Sequence, residues 1–416
     1  MSASLLLGAV GCGRRDAVGP ARNVVVVVAD GGWDPTFALD PKLGVRGIHG
    51  PAADASTGPR DRETTGRWGP LEIAVNPERR PAVAQLFDRW SKRLAVVRGV
   101  WVGSLSHWMG RSRILTGQDD RRATDWITQV GAALMGDRPL GIVDLSGHAR
   151  FGDLSAVSLR AGRRGQLGQL LIPERRLPLG DGSPRPTLPR RDDDDVAIDA
   201  WLADRAKVDP RRGFGRAWAR SLDARIQARG QAEALLAEVP AWSATLSGDS
   251  GLSGQVDLAV ALLDNQICRA VLLDSGHSWD THADHGRQHG WYQSLFAALG
   301  QLLSGLYDSG LLDETLVVVV SEMGRTGARN SEDGTEHWPY TSVLLAGADI
   351  DGPGLIGATD EALVGRPVDL VRGTLASSGG ALRYDHLVAG IVAAVGVDPA
   401  WVVPNAAPLL AISRGL

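Results

Sequence analysis

Cysteine is nearly absent from this sequence, since Cys12 and Cys268 are the only two in 416 residues. So few thiols exclude a disulfide framework, a four-cysteine zinc site and a Cys-x-x-Cys redox motif. Lysine is also scarce, and the formal net charge of −4 leaves no basic footprint of the kind that nucleic-acid-binding proteins carry. The sequence has no P-loop, and no Gly-x-Ser-x-Gly elbow in a strand–turn–helix context. We therefore expect no nucleic-acid partner and no serine-hydrolase elbow.

Long apolar runs are missing too, because no segment reaches the roughly 18 apolar residues that a membrane helix needs. A short apolar run at residues 5–11 ends at Cys12. Small residues followed by cysteine resemble a bacterial lipoprotein cleavage site, although no positive charge precedes the run as a signal peptide requires. An ordinary N-terminus is the alternative. We expect an exported protein of the cell envelope or periplasm, with residues 1–22 as leader and tether and a lipid anchor on Cys12.

Strand-like and helix-like apolar patterns alternate along much of the chain. Val24–Val28 is a continuous β-branched run, which is typical of a strand buried on both faces. Further strands are predicted at 95–100, 140–145, 268–273, 315–320 and 342–345, and helices at 81–94, 104–117, 288–309 and 384–395. This alternation predicts an α/β fold, a three-layer sandwich with a mostly parallel central sheet.

Two stretches interrupt the alternation. Residues 34–80 are rich in glycine, proline and charge, without a sustained period, and are interpreted as a long excursion. Residues 172–195 form a Pro-rich connector that ends in four aspartates, which are more typical of a solvated helix start than of a cation site. Residues 196–266 have a mainly helical pattern. We expect one large domain over 23–416, with 172–266 as a connector and helical insertion.

Histidine and aspartate concentrate directly after the strand predicted at 268–273. The segment Asp274–His289 holds four of the nine histidines in the chain. Other polar residues follow other predicted strands, so they would meet in one crevice if the carboxyl ends of parallel strands share an edge. Imidazole and carboxylate suit Zn²⁺, Mn²⁺ or Fe better than Ca²⁺. The sequence therefore predicts a site for a divalent metal, with Zn or Mn as the first choices.

The motifs at these strand ends resemble domain-of-unknown-function family 1501, within the alkaline phosphatase/sulfatase superfamily. The resemblance is carried by Asp-Gly-Gly-Trp-Asp at 30–34, Ser-His-Trp at 106–108, Trp-Asp-Thr-His at 279–282, the segment 311–326, and Gly-x-x-His-Trp at 334–338. Residues 268–360 match throughout, whereas the first half matches in short islands. The resemblance implies an alkaline-phosphatase-like fold and a site of one or two ions that cleaves phosphate or sulfate monoesters.

The resemblance also implies metal ligands, with Asp30 on one ion and Asp280 with His282 on the other. His285 would replace or join His282. The full set of implied ligands is Asp30, His107, Asp280, His282, His285, Glu322 and His337. Simpler roles remain open: a turn residue for Asp30, a salt bridge from Glu322 to Arg325, and core packing for His337.

The nucleophile position is ambiguous. Relatives place Ser, Thr or a modified Cys ten residues before the glycine of a Thr-Gly pair, and in this chain that position is His107. His107 is then a metal ligand or a covalent nucleophile, while Ser106, one residue earlier, is a nucleophile or a helix cap. Attack by metal-activated water would need neither. Met323 stands where many relatives carry a histidine, which would weaken one of two ion sites.

Arg111 and Arg325 are candidates for binding an anionic group, because guanidinium forks suit phosphate and sulfate. Structural arginines are the alternative in an arginine-rich chain. Tryptophans near the proposed ligands would line a glycan cleft by stacking, although core packing is the more frequent use of this residue. These tryptophans are Trp33, Trp108, Trp279 and Trp338.

Taken together, these features predict an exported metal-dependent hydrolase of an anionic ester, with a sulfated or phosphorylated glycan as candidate substrate. The alternative is a catalytically degenerate binding protein of the cell envelope with a structural metal, because fold alone does not entail activity. A third possibility is a phosphoryl-transferring mutase, in which 172–266 supply a cap.

Overall fold

The computed structural model describes residues 21–53, 63–120, 122–161, 251–348, 350 and 352–414, with five single positions between 196 and 204. The predicted leader with Cys12 and the connector at 172–195 lie outside the described residues. Most of the predicted helical insertion lies outside them as well, except for its final helix.

The described part of the chain contains twelve strands and six longer helices. The strands are β1 (Asn23–Val28), β2 (Thr64–Trp68), β3 (Leu71–Val75), β4 (Leu94–Trp101), β5 (Ile142–Asp144), β6 (Ser158–Arg160), β7 (Ala270–Asp274), β8 (Thr315–Val320), β9 (Gly324–Arg325), β10 (His337–Trp338), β11 (Tyr340–Gly347) and β12 (Gly354–Ile356). The helices are α1 (Pro81–Trp90), α2 (His107–Thr116), α3 (Trp126–Leu134), α4 (Leu252–Asp264), α5 (Gln288–Asp308) and α6 (Tyr384–Ala394), followed by a short helix at Pro399–Val402.

Eight of these strands form the central sheet, in the order β12-β4-β11-β8-β1-β7-β5-β6. Strand β1 pairs in parallel with β7 and β8, and β5 pairs in parallel with β6 and β7. Strand β11 is antiparallel to both of its neighbours, β4 and β8, while β12 is parallel to β4. Seven strands therefore share one direction, and the amino end of β11 lies at the edge where those strands end.

Both faces of the sheet are covered, which explains the uninterrupted valine run of β1. Val25 and Val27 belong to one apolar layer, which includes side chains of α1, α4 and α5. Val24, Val26 and Val28 belong to the opposite layer, with side chains of α2, α3 and α6. Alternate residues of a strand point to opposite faces, so a strand between two helical layers needs apolar residues at every position.

The predicted three-layer sandwich with a mostly parallel sheet is confirmed. The interpretation of residues 34–80 as an excursion without regular structure is wrong in part, because β2 and β3 form an antiparallel hairpin there. Helix α3 was not predicted; it begins after Asp125, whose side chain accepts a hydrogen bond from the Thr128 N–H at 2.6 Å. Among the described helices, none combines the length and apolar character that crossing a membrane requires.

Candidate metal centre

The topology of the sheet brings distant residues to one edge. Asp30 follows β1, Asp280 lies in the loop after β7, and Glu322 follows β8. His107 opens α2, a few residues beyond the end of β4. His337 precedes β11, and because β11 runs against its neighbours, its amino end reaches the same edge. The predicted convergence therefore depends on five strand ends at one edge of the sheet.

The Asp280 carboxylate lies at the centre of three histidines. Its Oδ1 is 3.0 Å from His282 Nε2 and 3.1 Å from His337 Nε2, and its Oδ2 is 3.3 Å from His107 Nε2. The two nitrogens His282 Nε2 and His337 Nε2 are 3.0 Å apart. One possible ligand atom from each of His107, Asp280 and His337 lies within 4.8 Å of the other two. We call these four residues the histidine cluster.

Each histidine of the cluster has its other ring nitrogen on an oxygen acceptor. His107 Nδ1 is 2.8 Å from Glu322 Oε1, and His337 Nδ1 is 2.6 Å from the Leu105 carbonyl oxygen. His282 Nδ1 is 2.9 Å from Glu336 Oε2. Carbonyl and carboxylate oxygens accept hydrogen bonds, so each Nδ1 donates its hydrogen. In the neutral rings the lone pairs are therefore on Nε2, directed at Asp280.

This arrangement fits a divalent ion. Three imidazole lone pairs and a carboxylate cannot face one another at about 3 Å without positive charge among them. A proton on one Nε2 or a metal ion can supply that charge, and the two compete. Metal-binding histidines commonly donate their second N–H to a carboxylate or a carbonyl, as these three do. The donor set of three nitrogens and one carboxylate suits Zn²⁺ and related ions.

Arg325 fixes the position of Asp280 and is not available to a substrate. Its side chain is fully buried. It donates hydrogen bonds to the carbonyl oxygens of Gly31, Gly32, Trp279 and Thr335, and NH2 donates to Asp280 Oδ1 at 2.6 Å. The prediction that Arg325 binds an anionic substrate group is therefore replaced by a positioning role.

The charge state of Asp280 follows from these contacts. Burial opposes ionisation of Asp280, but the hydrogen bond from Arg325 and the contact with His337, with the charges of Arg325 and His107, more than offset it and lower the pKa to about 2. The carboxylate is therefore ionised throughout the physiological range, as a metal ligand must be.

Glu322 orients His107 from a buried position. Its Oε1 accepts hydrogen bonds from the Gly31 N–H at 2.8 Å and from His107, and its side chain is fully buried. The hydrogen bond to Glu322 raises the pKa of His107 above its usual value, while burial acts in the opposite direction. The predicted salt bridge from Glu322 to Arg325 does not form, since Arg325 pairs with Asp280.

Asp30 belongs to a second group beside the histidine cluster. Its Oδ2 accepts a hydrogen bond from Arg111 NH1 at 3.0 Å, and the same nitrogen is 3.4 Å from His148 Nδ1. His148 Nε2 is 2.9 Å from Asp274 Oδ2. We call Asp30, Arg111, His148 and Asp274 the arginine group. Burial, and then the charge of Glu322, raise the pKa of Asp30, although Arg111 acts to lower it.

Of the four histidines in the segment Asp274–His289, one joins the histidine cluster. His285 is fully buried, and it contacts Asp34 through Nε2 at 2.8 Å and Thr281 and Thr335 through Nδ1. His277 stacks on Trp291 and His289 contacts Arg80, so neither faces Asp280. The prediction that His285 ligates the metal is wrong for this geometry, because both ring nitrogens are already engaged elsewhere.

Ser106 and His107 have different positions at the start of α2. Ser106 occupies the N-cap position of the helix but its side chain makes no capping hydrogen bond, so the predicted cap is present in position alone. His107 has both ring nitrogens directed at carboxylates. This geometry favours His107 as a ligand over His107 as a covalent nucleophile.

Two of the four tryptophans near the site are core residues. Trp33 and Trp279 are fully buried and contact each other edge to face. Trp338 donates its Nε1–H to the Leu363 carbonyl oxygen. Trp108 has 41% of its surface exposed. Met323 is buried, and its side chain packs where a Cβ on Gly32 would be.

His148 and Asp274 are members of the crevice that were not predicted from the sequence. A signal was present, since His148 follows the strand predicted at 140–145 as the other polar residues follow theirs. Asp274 is the last residue of β7, and its carboxylate turns to the same edge.

Comparison with known proteins supports the resemblance for the second half of the chain. A family model described as protein of unknown function (DUF1501) matches residues 220–371. This range contains Asp280, His282, Glu322 and His337, so the predicted resemblance is confirmed over these residues. No curated protein matches the chain significantly.

Several solved structures are similar to most of this chain at low identity. An alkaline phosphatase from the Antarctic bacterium TAB5 is 10% identical, with 92% of this chain and 100% of that chain covered and a TM-score of 0.38. A phosphonate monoester hydrolase from Silicibacter pomeroyi is 12% identical, with 95% and 77% covered and a TM-score of 0.38. A sulfatase from Pseudoalteromonas sp. is 10% identical, with 93% and 72% covered and a TM-score of 0.37.

Proposed function

We propose that this protein is a metal-dependent hydrolase of phosphate or sulfate monoesters. The observation that carries the proposal is the convergence of three Nε2 atoms on Asp280 at an accessible rim. Exposed fractions of the four side chains run from 18% for His337 to 44% for His282. A structural metal site is closed on all sides, whereas a catalytic site keeps a position open to substrate.

The residues divide into holding and positioning groups. His107, His282, His337 and Asp280 would hold the ion, which when bound would polarise the ester oxygen and activate water. Arg325 and Glu322 hold Asp280 and His107 in place. Arg111, with 26% of its side chain exposed, is the candidate for contact with the anionic group.

A glycan ester is the substrate class that the rim favours. Trp108 follows His107 directly and is partly exposed, and Leu105, whose carbonyl oxygen accepts from His337, is 55% exposed. Apolar and aromatic surface beside an anion-binding site suits a substrate with a hydrophobic sugar face next to its charged group. Export, with Cys12 as a lipidated residue, belongs to the same proposal and rests on the apolar run before Cys12.

The central test combines metal content with activity. The purified protein is expected to bind Zn²⁺ or Mn²⁺ and to hydrolyse at least one member of an aryl phosphate and aryl sulfate panel. Asp280→Ala removes the carboxylate at the centre of the cluster, and both properties should be lost. The matched control is Asp308→Ala, an exposed carboxylate at the end of α5 on the opposite edge of the sheet.

Two outcomes of this test would count against the proposal. Equal activity of Asp280→Ala and the control would remove the proposal. Metal binding without hydrolysis of any ester in the panel would favour the degenerate binding protein instead.

Export is tested separately by palmitate labelling in a bacterial host. The label should be lost in Cys12→Ser, and an unlabelled wild-type chain would contradict the proposed lipid anchor.

A further inference from the structure

The arginine group places a fixed positive charge beside Asp30. Arg111 NH1 lies 3.0 Å from Asp30 Oδ2, and both side chains are about a quarter exposed, so the pair sits inside the crevice rather than on open surface. Among the described residues, Arg111 forms no ion pair with the histidine cluster. The guanidinium therefore balances the carboxylate at the end of β1.

His148 uses both of its ring nitrogens within the arginine group. Arg111 NH1 donates toward His148 Nδ1 at 3.4 Å, so that nitrogen is the acceptor and Nε2 carries the hydrogen. Nε2 then donates to Asp274 Oδ2 at 2.9 Å. With both ring nitrogens used, His148 offers no lone pair to a metal ion in this arrangement.

The Glu322 carboxylate contacts the histidine cluster through His107. Its Oε1 already accepts from the Gly31 N–H and from His107 Nδ1. Glu322 contacts the His107 nitrogen that faces away from Asp280, which is the position of a carboxylate that orients a histidine ligand. One feature favours a second ion instead: Asp30 Oδ1 is buried and has no hydrogen-bond partner among the described residues. Arg111, however, lies where such an ion would have to neutralise Asp30.

We propose that the crevice binds one divalent ion, at the histidine cluster, and that the Arg111 guanidinium takes the place of a second ion beside Asp30. This inference rests on the proposed function for the presence of the first ion. It divides the predicted ligands in two: His107, Asp280, His282 and His337 bind the metal, while Asp30 and Glu322 do not. Arg111 neutralises Asp30 and repels further cations.

The experiment counts ions in the full-length protein. The chain is stripped with chelator, dialysed to saturation against Zn²⁺ and, separately, Mn²⁺, and its metal content is measured by mass spectrometry, with affinities from calorimetry. Wild type is expected to hold one ion per chain. Asp280→Asn should lose it, whereas Asp30→Asn should retain it with unchanged affinity. Arg111→Met, which keeps the length but removes the charge, should take up a second ion.

The outcomes separate this inference from the proposed function. Two ions in wild type would overturn the inference and leave the hydrolase proposal standing. No ion in folded wild type would remove both. An ion lost in Asp30→Asn but kept in Asp280→Asn would place the metal in the arginine group and overturn the inference. A count that stays at one in Arg111→Met, with native circular dichroism, would overturn the role given to Arg111.

Discussion

Gly110 lies where the packing of α2 meets the candidate metal centre. It lies in α2, three residues after His107, and faces the end of β8. A Cβ added at Gly110 would lie 2.6 Å from the Glu322 carbonyl oxygen and 3.3 Å from Glu322 Cβ. Ordinary contact begins at 3.4 Å, so Gly110→Ala must separate α2 from β8 by up to about 0.8 Å.

The expected stability change is a difference of two effects. Replacing glycine by alanine inside a helix stabilises by about 0.5–1 kcal/mol, because the unfolded chain loses freedom. Forcing an extra methyl group into a packed interior costs about 1–3 kcal/mol. We expect Gly110→Ala to lose about 1–2 kcal/mol overall. Gly300→Ala in α5 is the matched control: its nearest neighbour would be 3.9 Å away, so it should gain the helical contribution without the clash.

The functional consequence follows from the same displacement. His107 and Glu322 are joined by a 2.8 Å hydrogen bond across the α2–β8 contact, and separating the two elements stretches it. Gly110→Ala should therefore weaken metal binding, whereas Gly300→Ala should leave it intact. The assays are denaturant unfolding followed by tryptophan fluorescence, and metal calorimetry. If Gly110→Ala matched Gly300→Ala in both stability and affinity, the tight contact between α2 and β8 would be refuted.

Three further predictions test the charges around the site. Glu322→Gln should lower metal affinity about 10–100-fold with an unchanged ion count, since Glu322 orients His107; loss of the ion altogether would make Glu322 a ligand. Because a proton and the ion compete for His107, whose pKa is raised, calorimetry should show affinity falling as pH drops below neutrality, and a flat profile would contradict this. Burial raises the pKa of Asp125 from 3.8 to about 6, so the carboxyl group stays protonated to a higher pH in the native state than in the unfolded chain. Stability from this group is present below the unfolded pKa and is lost as pH rises through about 6, by about 3 kcal/mol. In chelator-stripped protein, the stability difference between wild type and Asp125→Asn should shrink by that amount from acidic to neutral pH; a constant difference would exclude the shift.

The parallel sheet and the location of the site could be predicted because both depend on patterns that the sequence carries directly. The valine run of β1 and the alternation of strands with helices indicate a sheet covered on both faces. Once that sheet is accepted, polar residues after β1, β7 and β8 must share an edge. His337 was predicted from the family resemblance; its arrival at that edge depends on the reversed direction of β11, which the sequence pattern does not reveal.

The roles of individual side chains could not be predicted, because they depend on which partner each group meets. Four histidines lie between residues 274 and 289, yet His282 alone reaches Asp280, since His285 points into the core toward Asp34. Local density of histidine therefore overstated the number of ligands. The guanidinium group of Arg325 is of the type that binds anions, but its N–H donors already bond to four carbonyl oxygens and to Asp280.

The hairpin of β2 and β3 shows a different reason for failure. Its first strand, Thr64–Trp68, contains a glycine and an arginine and lacks a strong alternating pattern. Its stability comes from packing, with Leu71 and Ile73 fully buried and Trp68 against Phe87 of α1. Tertiary contacts of this kind override local propensity and leave little trace in periodicity.

The segment from Glu322 to Arg325 links two elements of the candidate site, and Met323 lies within it. Glu322 holds His107 from α2, and three residues later Arg325 holds Asp280 from the loop after β7. One short segment at the end of β8 thus sets the distance between two candidate ligands, His107 and Asp280, that come from different elements. Gly31 reinforces this coupling, because its N–H donates to Glu322 while a Cβ at this position would lie 2.6 Å from the Asp280 nitrogen. Met323 lies between these two positioning residues, and its buried apolar side chain packs beside Gly32.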